Sequence, residues 1–183
     1  MSKGKWFGVI LVIILTAGLF YLNLKPFLAD IHYRRALELK KSIYYDRAAE
    51  ELYFAISWDP NYALYHKTLG ELYNTMAIFR KDKKLGELAI KKLIKTIQLN
   101  PNDGFSYASL GWAYYYGGDY PNAKTAFKAS IERDPNNAYF HLNLGLLYKK
   151  LNKLSEAKIE LEKVLAIFPN EPRAKRALEE MSR

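Results

Sequence analysis

The chain contains no cysteine among its 183 residues. A disulfide framework, a cysteine-based metal site and an acylated-cysteine lipid anchor are thereby excluded, and the absence fits either side of a membrane. Catalytic signatures are missing too: there is no Gly-rich phosphate loop, no His-Glu-x-x-His and no nucleophile elbow. Adjacent acids such as Glu50-Glu51 and Glu179-Glu180 point in different directions on a helix and make no acid pair. The expectation is therefore a binding protein that is not an enzyme, with no catalytic residue, no cofactor and no metal. No strand signal competes with the helical one.

Charge is also missing from Trp6 to Leu24, an apolar run preceded by Lys3 and Lys5 and closed by Lys25-Pro26. As a helix these residues reach roughly 28 Å, close to the hydrocarbon thickness of a bilayer. Trp6 and Phe7 at one end, with Phe20 and Tyr21 at the other, stand where amphipathic rings favour the interface. The expected order is a basic tip over residues 1–5 and a transmembrane signal anchor over residues 6–25. The alternative, a cleaved signal peptide, is disfavoured by the length of the run and the lack of an Ala-x-Ala site. Counting basic residues pulls sidedness toward the cytoplasm, because Lys25, Arg34, Arg35, Lys40 and Lys41 follow the run. The signal-anchor layout pulls the other way, and the expectation is a single-pass protein of the cell membrane with an extracytoplasmic domain.

Residues 104–171 repeat at a spacing of 34, with Tyr107, Leu110, Gly111, Tyr114, Ala123, Phe127 and Pro135 falling on His141, Leu144, Gly145, Tyr148, Ala157, Leu161 and Pro169. His66, Leu69, Gly70, Tyr73, Ala89, Leu93 and Pro101 form a copy stretched by seven residues. A degenerate copy runs through His32, Arg35, Ala36, Leu39, Ala48, Leu52 and Pro60, with Arg35 in the leucine column. Glycine inside a helix costs about 1 kcal/mol against alanine, so Gly70, Gly111 and Gly145 imply a close approach of helices, with Ala48, Ala89, Ala123 and Ala157 as the expected small partners. Pro60, Pro101, Pro135 and Pro169 each follow a helix end, and Gly117-Gly118-Asp119 supplies a left-handed exit followed by a cap.

This pattern resembles the tetratricopeptide repeat, a helix-turn-helix unit of 34 residues. The resemblance implies an all-α, right-handed solenoid of helical hairpins preceded by one transmembrane helix. The repeats are expected over residues 26–171, as 29–62, 63–103, 104–137 and 138–171, with a capping helix over 172–183. It further implies a protein–protein interaction scaffold that assembles or stabilises a membrane-associated complex by gripping a partner segment in its concave groove.

Helical spacing places Tyr33, Lys67, Phe105, Trp112, Tyr115, Tyr116, Tyr139, Leu142, Leu146 and Lys149 on the groove wall, on the face of each first helix away from its partner. Exposed rings flanked by lysines suit a protein or peptide with apolar anchors and some acidic character. A chaperone-tail carboxylate clamp is disfavoured, because Glu71 stands one turn after Lys67 and Ser109 occupies the column of Asn143. The three histidines share one repeat column and are expected to pack rather than bind metal. Residues 63–103 hold eight basic and four acidic side chains, against three of each in 104–137. Arg80, Lys81, Lys83, Lys84, Lys91 and Lys95 form the basic patch there, and nucleic acid or an anionic membrane surface is the alternative partner it suggests. Nucleic acid is disfavoured, because the charges avoid the rings.

Overall fold

The computed structural model describes residues 3–182, without the side chains of residues 3–5 and of Phe7; the basic side chains of the tip and one ring of the Trp6–Phe7 pair thus lie outside what is described. Every regular element among the described residues is a helix: α1 (Lys3–Lys41), α2 (Tyr45–Trp58), α3 (Ala63–Arg80), α4 (Lys83–Leu99), α5 (Gly104–Tyr116), α6 (Tyr120–Arg133), α7 (Ala138–Lys150), α8 (Leu154–Ile167) and α9 (Pro172–Met181). They fall into two compact units, Met1–Tyr65 and His66–Arg183.

In the first unit, α1 passes without a break from the apolar run into the first repeat. Pro26 sits inside the helix, where it deprives the Leu22 carbonyl of its usual donor. Within residues 8–41 the helix is long and apolar enough to cross a membrane, and its apolar window is unburied. Ile43, at φ 64°, turns the chain so that α2 can pack back on α1. Small residues line that contact: Ala29 and Ala55 are sealed together with Tyr65. Arg35, which breaks the leucine column, reaches across to Glu51 at 3.1 Å, and His32 Nδ1 lies 2.7 Å from the same carboxylate. The degenerate copy thus substitutes a polar clasp for a leucine.

In the second unit the hairpins α5/α6 and α7/α8 follow the repeat. A Cβ on Gly111 would lie 2.5 Å from the Phe127 ring, and one on Gly145 would lie 3.0 Å from Leu161 Cγ. At Gly111 the ring leaves no room for a methyl group, whereas at Gly145 the leucine would have to give by a few tenths of an ångström. The expected partners of the glycines were alanines; Ala123 and Ala157 are fully buried, but Phe127 and Leu161, one turn further on, are what closes over them. Gly118 at φ 80° makes the left-handed exit, and Asp119 caps α6 by accepting from the Asn122 amide. Asp103, Asn137 and Glu171 cap α5, α7 and α9 in the same manner.

The seven extra residues are helical. α3 has 18 residues and α4 has 17, against 13 and 14 in α5 and α6, and only Lys81 and Asp82 separate the longer pair. Five extra residues lengthen α3 by about 7.5 Å.

Candidate partner-binding groove

The first helices of the second unit present two ring clusters. At the start of α5 and α7, Phe105 stacks on Tyr139 with centroids 6.1 Å apart and planes at 25°, and Phe140 supports Phe105 edge-on at 5.0 Å. Phe140 is buried, whereas Phe105 is 49% and Tyr139 40% exposed. The Asp103 cap fixes this end: its carboxylate accepts from the Phe105 amide at 3.0 Å, from Ser106 Oγ at 2.6 Å and from Lys67 Nζ at 3.0 Å. Burial acts to raise the Asp103 pKa, but the hydrogen bonds from Ser106 and Lys67 outweigh it and hold the carboxyl below its ordinary value. Lys67 also lies 5.5 Å from the Phe105 ring centroid, a cation over an aromatic face.

The second cluster, at the far end of α5, corrects two expectations. Trp112 meets Phe127 of the partner helix α6 edge-on at 5.4 Å, and Tyr115 meets Tyr120 of α6 at 5.7 Å. Both rings are half-buried against the hairpin core and do not stand clear on the groove wall. Burial raises the Tyr115 pKa accordingly. Tyr116, stacked on Trp112 at 5.6 Å, is the open ring here, at 54% exposure.

Leu142 and Leu146 are also displaced from the predicted wall. Leu142 is buried in a cluster with Leu161, Val164, Ala174 and Ala177, and Leu146 packs against it. α9 occupies the flank of α7 that a further repeat would take, so these leucines meet the capping helix instead of a partner. Lys149 is tied to α9 by an ion pair with Glu180. Tyr33 belongs to the first unit, half-buried and tilted against Tyr65 at 5.1 Å. The structure therefore brings Lys67, Phe105 and Tyr139 together, and Tyr116 separately with Trp112 and Tyr115.

Along the inner columns, Glu71 accepts from Ser109 Oγ at 2.8 Å. Asn143, in the same column as Ser109, is fully buried, and no protein group hydrogen-bonds either atom of its amide. In the histidine column, His141 lies 2.6 Å from Glu160 through Nδ1 and 2.8 Å from the Pro135 carbonyl through Nε2. Burial acts to raise the Glu160 pKa, but hydrogen bonds from His141 and Lys163 override it and hold it down. No group of three or more potential ligands could hold a metal ion among the described residues.

The basic patch is divided. Lys81 and Lys83 line a cleft of about 660 Å³ with Asn74, Ile78, Tyr114 and Tyr116, where the overlong α3 stands beyond the end of α5. Lys91 and Lys95 border a separate depression of about 300 Å³ with His66, Lys92, Ile94 and Gln98. Arg80 and Lys84 are exposed at the hairpin tip. One groove ring thus shares a site with two patch lysines, a proximity that linear order hides because the residues sit on successive hairpins.

The tetratricopeptide-repeat family model matches residues 115–181. Over 126 residues the chain is 31% identical to the anaphase-promoting complex subunit CDC16 of Saccharomyces cerevisiae, a match covering 66% of this chain and 14% of that protein. The chain thus spans a small part of that relative. Among solved structures, MamA superposes with a TM-score of 0.69 at 23% identity, over 80% of this chain and 81% of MamA. The first tetratricopeptide repeat domain of Spaghetti (RPAP3), solved with the HSP90 peptide SRMEEVD, gives 0.58 at 23% identity, over 66% and 90%. The family match supports tetratricopeptide repeats over residues 115–181, and the solved structures share the helical-hairpin solenoid fold.

Proposed function

We propose that this chain is a membrane-anchored scaffold that captures a segment of a partner protein and so assembles or stabilises a membrane-associated complex. The observation that carries the reading is the Phe105–Tyr139 stack, held rigid by the buried Phe140 yet 49% and 40% exposed. Preorganised aromatic surface of this kind gains about 25 cal/mol for each Å² that a partner covers, with little entropy lost on the protein side. The partner is an extended or helical peptide with apolar anchors. Its acidic character comes from Lys81 and Lys83 beside Tyr116, since Lys67 is already engaged by Asp103. For the same reason a chaperone-tail clamp is not the proposed mode, although the RPAP3 domain that shares this fold was solved with an HSP90 peptide.

The anchor is the apolar part of α1. Its polar side chains turn inward for partners: Thr16 Oγ1 donates to the Val12 carbonyl at 2.9 Å, and Asn23 Nδ2 to that of Leu19 at 2.9 Å. That arrangement suits a medium without water. The domain is proposed to be extracytoplasmic, on the layout of a basic tip before an apolar run. The alternative of nucleic-acid binding through the basic patch has less support, because the depression between Lys91 and Lys95 is lined by no Phe, Tyr or Trp ring on which successive bases could stack.

The test is crosslinking in native membranes with the full chain and its Phe105→Ala/Tyr139→Ala variant, alongside protease accessibility from each side. The crosslinked partner should disappear from the variant while helicity and thermal unfolding stay near those of the parent chain. Undiminished crosslinking would reject the groove, and digestion of the domain only from the cytoplasmic side would reject the proposed sidedness.

A further inference from the structure

The end of α2 returns to the place where the apolar run of α1 stops. Trp58, the last residue of α2, meets Tyr21 of α1 edge-on, with ring centroids 6.4 Å apart and planes at 63°. One helical turn beyond Tyr21, Lys25 holds its Nζ 4.9 Å from the Tyr21 ring centroid. Trp58 is supported from behind, packing against the sealed contact of Ala29, Ala55 and Tyr65. An amphipathic indole, a phenol and a lysine on an apolar stem therefore converge at one level of the helix, where uncharged sequence gives way to charged.

We infer that Trp58 sits in the headgroup region of a bilayer, so that α2 forms a second attachment of the first unit to the membrane surface. The chemistry is that of an interfacial belt: indole and phenol rings place their apolar bodies toward the acyl chains and their polar edges toward water, while a lysine extends its ammonium to the phosphates. Three further observations on the same unit agree. Phe27 is 62%, Phe54 54% and Tyr62 48% exposed, a density of outward rings that water alone does not favour. The occupant is the lipid interface because the site continues directly from the span and includes a cation for the phosphate layer. An aromatic partner peptide would not need the adjoining apolar helix. The inference rests on the reading of α1 as an anchor and adds an attachment that the anchor alone does not require.

The chain has three tryptophans, Trp6, Trp58 and Trp112, so two single-tryptophan full-length variants separate the questions. Trp6→Phe/Trp112→Phe leaves Trp58, and Trp58→Phe/Trp112→Phe leaves Trp6. Both are reconstituted into phosphatidylcholine–phosphatidylglycerol vesicles carrying bromines at a shallow or a deep acyl position. Trp58 should emit to the blue of a water-exposed indole, lose more emission to shallow than to deep bromines, and resist aqueous iodide. Iodide quenching of Trp58 without any bromine effect, while Trp6 responds to bromines, overturns the second attachment and leaves the anchor standing. Bromine-insensitive emission from both variants overturns the anchor and the inference together. A Trp58→Cys chain carrying an environment-sensitive dye, unique because the parent has no cysteine, gives the same readout if a phenylalanine variant misfolds. Emission from that dye as in free solution would reject the placement.

Discussion

Gly111→Ala tests the packing argument with a single methyl group. The added carbon would lie 2.5 Å from both Cδ1 and Cε1 of Phe127 and 3.0 Å from its Cγ, where carbon atoms normally keep about 3.5–4.0 Å. Phe127 has nowhere to go: it is fully buried among Ala123, Leu144, Leu147, Tyr148 and Ala157, with Trp112 against its ring. Relief therefore requires a shift of about 1 Å between α5 and α6, and overpacking on this scale costs up to about 3 kcal/mol. Alanine returns about 1 kcal/mol of helix propensity, so the net loss is about 2 kcal/mol. Gly86→Ala is the matched control, because it lies in α4 and its new methyl would meet only Ala77 Cβ, at 4.0 Å. That variant keeps the propensity gain of about 1 kcal/mol and should be more stable than the parent. Urea unfolding of the full chain in detergent, followed by circular dichroism, should separate the two alanines by about 3 kcal/mol. Adding Phe127→Leu should soften the Gly111→Ala penalty, since in the fourth copy a Cβ on Gly145 would lie 3.0 Å from Leu161 Cγ against 2.5 Å from the Phe127 ring here, and the double-mutant cycle measures that coupling. Equal midpoints for Gly111→Ala and Gly86→Ala would refute the reasoning.

Two further expectations address the last hairpin. The Glu160 carboxyl is held below its ordinary value of 4.5, so its contribution is complete above that pH and is lost as the pH falls through the lower, folded-state value. Glu160→Gln should therefore flatten the acid limb of the stability profile; parallel profiles for parent and variant below about pH 4.5 would contradict this. Ala177 is buried against Leu142, Leu161 and Val164, and Ala177→Asp places a carboxylate there without a partner, which should undock α9. Hydrogen exchange should rise in α9 and around Leu142 while α5 and α6 keep their protection, as nearest-neighbour coupling in a repeat stack requires. Unchanged exchange in α9 would show that the helix contributes no lid.

The hairpins were legible because their signals are local. A leucine-glycine pair, a following tyrosine and a proline after the second helix all lie within one repeat, and the Asp119 cap formed where the Gly117-Gly118 exit required it. Side-chain reach was less legible. A helical wheel turns Trp112 away from α6, yet a long side chain on a helix leans toward the N-terminus and covers the neighbouring surface, which brings the indole onto Phe127. Leu142 looked open because nothing in the last copy records the side from which α9 docks. The Lys67–Asp103 pair, 36 residues apart in sequence, has no local signature at all, and neither has the meeting of Trp58 with Tyr21. Pro26 suggested a helix boundary, but apolar helix on one side and a packed hairpin on the other hold α1 together across the missing donor.

The solitary amide of Asn143 bears on where such a stack comes apart. A buried carboxamide that no other protein group meets costs about 1–3 kcal/mol, relieved as soon as solvent reaches it. It lies in the terminal hairpin, which has a ten-residue helix on its outer side. Breathing should consequently start at the carboxyl end and travel inward, leaving the ring-bearing middle of the array folded while its last segment opens and closes.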